Sequence, residues 1–566
     1  MWTQFCFKLL VTLFICRVKA TISDKSWSTL NETVHGRVQL GSPIARPCFR
    51  LSQNVIGEFD EDVCQHIVAN YTDREYRVSV FDAYMNTQWE TCQATSSRCL
   101  LDSAEPSNPA AFDPPNECSQ GSIPTHHIVV QTVSDVQAAF AFAKTTGINL
   151  VIKNTGHDYL GRSSGPNALA LWTHQLQSLS YDQKFVPDGC AQSSEASPAV
   201  SFGAGVLYGT LYDFADQMNI TLPGGSDRTL GAAGGYLQGG GHSALSNAFG
   251  LAVDRVLQFR VVTPSGKYVV ANKCQNSDLF FALRGGGGGT FGVVLEATMK
   301  ALPKVSLSVV LATFQNTDDN MKAVLKFMVS HSLSYAEQGW GGYILPRNSV
   351  LLTNPFINLE QTSSDMSALQ DFVVKELGGT FALATESFSS FFNKYLASSI
   401  PVGSPFVTGS RLIPADKFSD AKSRQVLWER LVEALQNSTV PIIFAVAPYF
   451  YDGDDGETSV NSAWRNSIWH VTSSELWSFN TTKQEQLSIY SSISKSMDVL
   501  RDFTPTSGAY LNEADVYEPN YEASFWGAHY DRLVSIKKKY DPDHLLDCWR
   551  CVNWRGSKDP KYACYL

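Results

Sequence analysis

Nine glycines fall between Gly224 and Gly250, and five more run consecutively over residues 285–289. Without a Cβ, glycine reaches positive φ and lets the backbone approach a ligand closely, with N–H groups free to hold pyrophosphate oxygens. Flexible linkers this rich in glycine are polar and Ser-rich. Here the clusters lie between apolar runs and beside Tyr236, Leu237, Phe281 and Leu283. They read as a cofactor cradle, with flexible loops as the alternative. Glycine alone does not name the cofactor. Gly203-Ala204-Gly205 with Gly209 lacks the third glycine of the dinucleotide fingerprint, and no phosphate-loop lysine motif occurs, so nicotinamide and ATP are not supported. Residues 161–165 spell Gly-x-Ser-x-Gly, but Pro166-Asn167 follows where a hydrolase elbow needs a helix.

The chain has 566 residues, which implies more than one domain, and its 44% hydrophobic and 17% charged composition is globular. A net charge of -10 is spread along the chain without a basic face, which excludes nucleic acid as an expected partner. Lys8, the apolar run 9–15 and Ala20 read as a signal peptide over residues 1–20. As a membrane anchor the run falls short of the roughly 20 apolar residues a span needs, so no membrane is expected as a partner. Two of twelve cysteines lie in that leader, and the remaining ten are an even number that suits oxidation. Glycosylation triplets begin at Asn31, Asn70, Asn219, Asn437 and Asn480. Together these point to the secretory pathway, ending outside the cell or in a vacuolar lumen. Pairing is open; Cys548 and Cys551 are expected to bond to Cys564 or a distant partner rather than to exchange thiols. No metal-ligand cluster is apparent.

Residues 21–118 read as a loop-rich, cysteine-containing extension. From 119 to 303 the pattern is α+β: a strand at 128–130, a helix capped by Ser134 with Val136, Ala139, Phe140 and Ala143 inward, a strand at 150–152, a strand at 199–202, and an amphipathic stretch at 207–218. A hairpin over 256–270 turns at Thr263-Pro264-Ser265-Gly266, and a strand at 291–299 ends before Pro303. Residues 304–500 alternate strand-like runs (306–313) with helical ones (364–377, 421–435), implying a second α+β domain.

Residues 153–163, Lys-Asn-Thr-Gly-His-Asp-Tyr-Leu-Gly-Arg-Ser, followed by Trp172-Thr173-His174, resemble the FAD-linkage segment of fungal berberine-bridge-like oxidoreductases. The likeness continues through the segments 203–206, 234–243, 250–254 and 278–289, and resumes at 410–414, 463–465, 510–515 and 530–542. It implies the p-cresol-methylhydroxylase or vanillyl-alcohol-oxidase type of fold. That fold has an FAD-binding domain of two α+β subdomains, a substrate domain with an antiparallel sheet over the flavin, and a C-terminal segment (501–566) that returns to the FAD domain.

The same resemblance implies FAD bonded through His157, whose neutral imidazole is a competent nucleophile. It places Thr155, Gly156, Asp158, Gly161, Ser163, Gly203, Gly205, Gly225, Asp227, Gly231, Gly234, Gly235, Gly239, Gly240, Gly241, His242, Gly292 and Val293 around the cofactor. Asp227 stands where many relatives carry a second flavin-linking cysteine; a carboxylate cannot form that thioether, so a single covalent bond is expected. Leu230 replaces a common valine and bears on oxygen access. Tyr510 and Asn512 are expected against the flavin and substrate, with Glu513 and Asp515 as candidate bases. The implied reaction moves a hydride from an alcohol or a secondary-metabolite intermediate to FAD, with oxygen as acceptor. The alternatives are a dehydrogenase using another acceptor and a secreted flavin-binding protein without turnover.

Overall fold

The computed structural model of the chain describes residues 22–191, 193–396, 402–453 and 456–566. The leader assigned to residues 1–20 lies outside them. Strands β1 (Val38–Leu40), β2 (His126–Val129), β3 (Asn149–Lys153) and β4 (Ala168–Trp172) form a sheet in the order β1-β2-β4-β3. Strand β4 is parallel to both β2 and β3. It is buried along its whole length, and its unbroken apolar run is what a central parallel strand requires. The crossover helix, Val133–Thr146, buries Val136, Ala139, Phe140 and Ala143, as their spacing predicts. Its cap is Thr132 rather than Ser134: the Asp135 carboxylate accepts the Thr132 N–H at 2.9 Å in a capping box, which leaves Ser134 inside the first turn.

A second sheet joins β5 (Leu179–Phe185), β6 (Ser197–Gly203), β7 (Val256–Val262), β8 (Tyr268–Asn272) and β9 (Val293–Lys300) in the order β8-β7-β9-β6-β5. All its pairings are antiparallel, and β7–β8 is the hairpin read from the turn residues. The third sheet has seven antiparallel strands: β10 (Ser306–Thr313), β11 (Gly341–Leu345), β12 (Ser349–Asn354), β13 (Thr380–Ser387), β14 (Phe406–Pro414), β15 (Ile442–Ala445) and β16 (Ser467–Leu476), ordered β13-β10-β12-β11-β15-β16-β14. Side chains alternate across it. Val310, Ile344, Leu352, Ile413, Ile443 and Val471 pack on one face against the long helices Asp318–Glu337, Ala421–Leu435 and Lys483–Phe503. Val309, Tyr343, Leu351, Leu412 and Phe444 face the opposite way, into the core shared with the second sheet. The α+β class with an antiparallel sheet is the one the resemblance implied.

The segment expected to be loop-rich is more ordered than its composition suggests. It holds helices Asp24–Thr33, Glu61–Asn70 and Arg74–Ser79, and gives β1 to the first sheet. Leu30 and Val34 share a core with Ile128 and Phe140, and Arg37 pairs with Asp135 at 2.5 Å. All ten cysteines of residues 22–566 are paired: Cys48–Cys64, Cys92–Cys564, Cys99–Cys118, Cys190–Cys274 and Cys548–Cys551. The expectation for Cys548 and Cys551 is therefore corrected. They bond to each other, and Cys564 instead ties the C-terminus to the N-terminal segment. Lys537, buried in the helix Tyr530–Tyr540, donates to Thr290 O and to Asp541 Oδ2, each at 2.6 Å, which pins the end of the second glycine cluster. Among the described residues, no helix is long and apolar enough to cross a membrane.

Candidate functional site

One large cleft opens between the two halves. It encloses about 1740 Å³ of space including its mouth, and draws its walls from the glycine-rich segments, the loop after β3, the third sheet and residues 510–513. The loop after β3 turns at Gly156, whose φ of +87° belongs to glycine. A Cβ there would also crowd Ala83 O at 3.3 Å. The loop is closed by Asp158, which accepts hydrogen bonds from the Ser163 N–H at 2.6 Å, the Ser163 hydroxyl at 2.8 Å and the Leu160 N–H at 3.0 Å. His157 is thereby turned into the cleft. Its Nε2 lies 2.8 Å from Thr229 Oγ1 and 3.7 Å from Asp227 Oδ1. Burial pushes the His157 imidazole below its ordinary pKa, with Asp227 pulling the other way.

On the facing wall, β14, β15 and β16 present alternate side chains to the cleft: Phe406 and Thr408, Ile442 and Phe444, Thr472 and Ser474. His470 belongs to the same alternation, two residues before Thr472. It donates from Nε2 to Glu513 Oε2 at 2.7 Å, while His242 Nε2 lies 3.1 Å from Glu513 Oε1. Burial pushes the Glu513 carboxyl up, but the charge of His242 and the hydrogen bonds from both histidines outweigh it and hold the group well below the usual carboxylate range. His470, fully buried, is held below its ordinary value by that burial. Tyr510 is buried, which pushes its phenol up and keeps it protonated; Asn512 Nδ2 donates to its oxygen and to Gly235 O, each at 2.8 Å.

Of the residues chosen from sequence, Thr155, Gly156, His157, Asp158, Ser163, Asp227, Gly231, Gly234, Gly235, His242, Gly292, Tyr510, Asn512 and Glu513 line this cleft. The rest lie behind it. Gly161 sits against the Trp89 ring, Gly203 and Gly205 against the carbonyls of Leu176 and His174, Gly225 against Leu230, Gly239 against Asn512, Gly240 against Val460 and Gly241 against Tyr236. Each allows a close backbone approach that carries the lining. Val293, the first residue of β9, is buried in the core it shares with the first sheet. Asp515 is turned away, 2.7 Å from Arg501 in an ion pair whose carboxylate is 1% exposed, so the structure separates it from Glu513.

Sequence reading missed His470 and the contributions of Met85 and Asn86, which come from the N-terminal segment. It also found no metal-ligand cluster, whereas His242, His470 and Glu513 place ligand atoms within 4.8 Å of one another. Both carboxylate oxygens are engaged by imidazole nitrogens at hydrogen-bond distance, which makes the arrangement a hydrogen-bonded clamp. Only the strand register of His470 could have hinted at it.

Comparison with known proteins agrees with this geometry. Residues 124–272 match the FAD binding domain family, and residues 509–547 match the family described as berberine and berberine like. FAD-linked oxidoreductase ffsJ of Aspergillus flavipes is 37% identical over 576 residues, covering 95% of this chain and 93% of that protein. FAD-linked oxidoreductase OXR2 of Pyricularia oryzae is 35% identical over 550 residues, with 95% and 93% covered. The VAO-type flavoprotein MtVAO615 of Myceliophthora thermophila C1 superimposes with a TM-score of 0.81 at 28% identity, over 94% of this chain and 95% of that one. The fold is thus that of VAO-type flavoproteins. The chain belongs to the FAD-linked oxidoreductases and is an enzyme that binds FAD.

The residues present fit that cofactor. Gly235 and Gly289 line the cleft, and a Cβ built on either meets nothing within 4 Å, so a side chain would project into the space a ligand needs. Asn154 Oδ1 and Gln238 Oε1, on cleft-lining residues, are buried without a hydrogen-bond partner among the described residues, a state that a polar ligand relieves.

Proposed function

We propose that this enzyme oxidises a small hydroxylated substrate, an alcohol or an intermediate of secondary metabolism, by transfer of a hydride to FAD attached through His157 alone, with dioxygen as the final acceptor. The observation that carries this reading is the pairing, across one cleft, of a half-buried histidine on the glycine-rich wall with a carboxylate clamped by two histidines on the other. When bound, the flavin supplies the two-electron chemistry. The chain's own residues bind, orient and deprotonate.

His242 and His470 keep Glu513 ionised, and His242 Nδ1 is buried without a partner among the described residues, so the three groups accept a substrate proton as a unit. Glu513 then faces an imidazolium rather than a neutral ring and stabilises it. Tyr510, protonated and held by Asn512, donates to the substrate oxygen. Phe406, Ile442 and Phe444 select an apolar body, while the hydroxyl of Thr472, which donates to Ile442 O, offers its oxygen as an acceptor. Leu230 lies in the cleft and governs how freely oxygen reaches the flavin. The five disulfides suit folding in the secretory pathway.

Acid precipitation followed by anaerobic mixing with a panel of alcohols tests the reading. Yellow protein in the acid pellet, bleaching by at least one substrate and rapid recovery in air are expected. Pigment lost to the supernatant overturns the attachment. Bleaching without recovery in air replaces oxygen by another acceptor, and no bleaching by any substrate leaves a flavin-binding protein.

A further inference from the structure

The glycine-rich wall contains a line of polar groups that hydride transfer does not use. Thr229 Oγ1 stands 2.8 Å from His157 Nε2 and 2.7 Å from Asp227 Oδ1. Asp227 Oδ1 also accepts the Thr229 N–H at 2.8 Å, and its other oxygen is ion-paired with Arg74. Chemistry fixes the direction of each hydrogen. An ionised carboxylate only accepts, so the one hydroxyl hydrogen of Thr229 points to Asp227. The hydroxyl then offers His157 a lone pair, which places the imidazole hydrogen on Nε2 and leaves Nδ1 as a free lone pair. Burial favours the neutral imidazole. Burial alone would raise Asp227, but His157, Arg74 and the Thr229 hydrogen bonds hold it below its ordinary range.

We propose that Thr229 and Asp227 are positioning residues for flavin attachment: they present His157 with Nδ1 as the nucleophile and accept the proton that Nε2 sheds once Nδ1 is alkylated. The proposal rests on His157 being the attachment point. In the attachment a bond forms between Nδ1 and the methyl carbon on C8 of the flavin, and one C–H bond of that methyl breaks. Its hydrogen and the Nε2 hydrogen leave as protons, and the two electrons of the C–H bond enter the flavin ring. Dioxygen then removes those two electrons and, with two protons, becomes hydrogen peroxide, which restores the oxidised ring. Without Asp227, alkylation would leave a cation in a buried site with no counter-charge beside it. Asp227 fills the place where resembling proteins carry a cysteine, and here serves the single histidine link instead of a second one.

The test uses full-length protein made under riboflavin limitation, mixed with FAD in air, with acid-stable flavin fluorescence followed over time and the flavinylated peptide mapped. Wild type is expected to carry flavin on His157 Nδ1. Thr229→Val and Asp227→Asn are expected to bind FAD, read by its visible absorbance, yet attach it about 10–100-fold more slowly, the scale on which loss of an orienting partner acts. Thr229→Ser, which keeps the hydroxyl, is expected to restore the rate. Wild-type rates in both Thr229→Val and Asp227→Asn, or flavin found on Nε2, overturn the proposal. If Asp227→Asn fails to hold FAD, the contrast between Thr229→Val and Thr229→Ser decides. Acid-stable flavin surviving in His157→Ala, or absent from wild type, overturns the parent reading instead.

Discussion

The two walls of the cleft use the same residue types in opposite ways. On the glycine-rich wall a carboxylate faces a histidine: Asp227 accepts the Thr229 hydroxyl, whose oxygen lies 2.8 Å from His157 Nε2. On the sheet wall two histidines serve a carboxylate: His242 and His470 converge on the two oxygens of Glu513. In the first the histidine is the group with a free valence toward the ligand; in the second the three groups share one charge. A histidine and a carboxylate in proximity therefore say little about chemistry until it is known which atom is left without a partner. In the proposed function the walls divide the labour, one holding the cofactor and the other moving a proton.

The comparison is sharpest at its centre. Glu513→Gln keeps the shape of the clamp and removes its charge, so kcat is expected to fall by about 10²–10⁴-fold, the range for loss of general acid–base help, while FAD content stays at the wild-type level. Full activity in this variant would break the division of labour. His470→Gln is expected to cost about 10–100-fold, because it acts through Glu513 rather than on substrate. The pH profile carries the sign. The unit must be unprotonated to accept a proton, so kcat/KM is expected to fall as pH drops. Glu513 itself stays ionised near neutral pH and adds no limb there. A kcat/KM that does not fall as pH drops would assign the proton to another group.

Most of the first wall was legible in sequence, and the second only in part: His242, Tyr510, Asn512 and Glu513 were read from it, and His470 was not. Thr155 to Asp158 are contiguous, Asp227 and Thr229 sit inside a glycine-dense segment, and short motifs of this kind keep their meaning without the fold. The clamp joins residues 242, 470 and 513, and His470 sits in a strand whose neighbours Trp469 and Val471 read as ordinary core. Only pairing of β16 with β14 and β15 turns it toward Glu513, behind the cleft lining. The same limit applies to Met85 and Asn86, hidden in a stretch whose cysteines and polar residues resemble loop. Periodicity succeeded where burial is one-sided, as in the helix over Ala421–Leu435, and failed at β4, where burial on both faces erases any alternation.

Asp515 gives the smallest expected effect on catalysis and the cleanest contrast with Glu513, its neighbour two residues away. Sequence offered both as bases, yet Asp515 lies 2.7 Å from Arg501, which also holds Glu518 at 2.8 Å, and both carboxylates are 1% exposed. Removing one charge from this network leaves Arg501 with a remaining partner, so the cost is that of a charged hydrogen bond, about 1.5–3 kcal/mol, rather than that of an orphaned buried ion. Asp515→Asn is therefore expected to lower Tm while leaving kcat of the folded enzyme and its pH limb unchanged. Differential scanning calorimetry beside steady-state kinetics checks both halves. A kcat loss approaching that of Glu513→Gln, at unchanged Tm, would mean that the C-terminal segment delivers two carboxylates to the chemistry and that the boundary drawn between clamp and scaffold runs through the wrong residue.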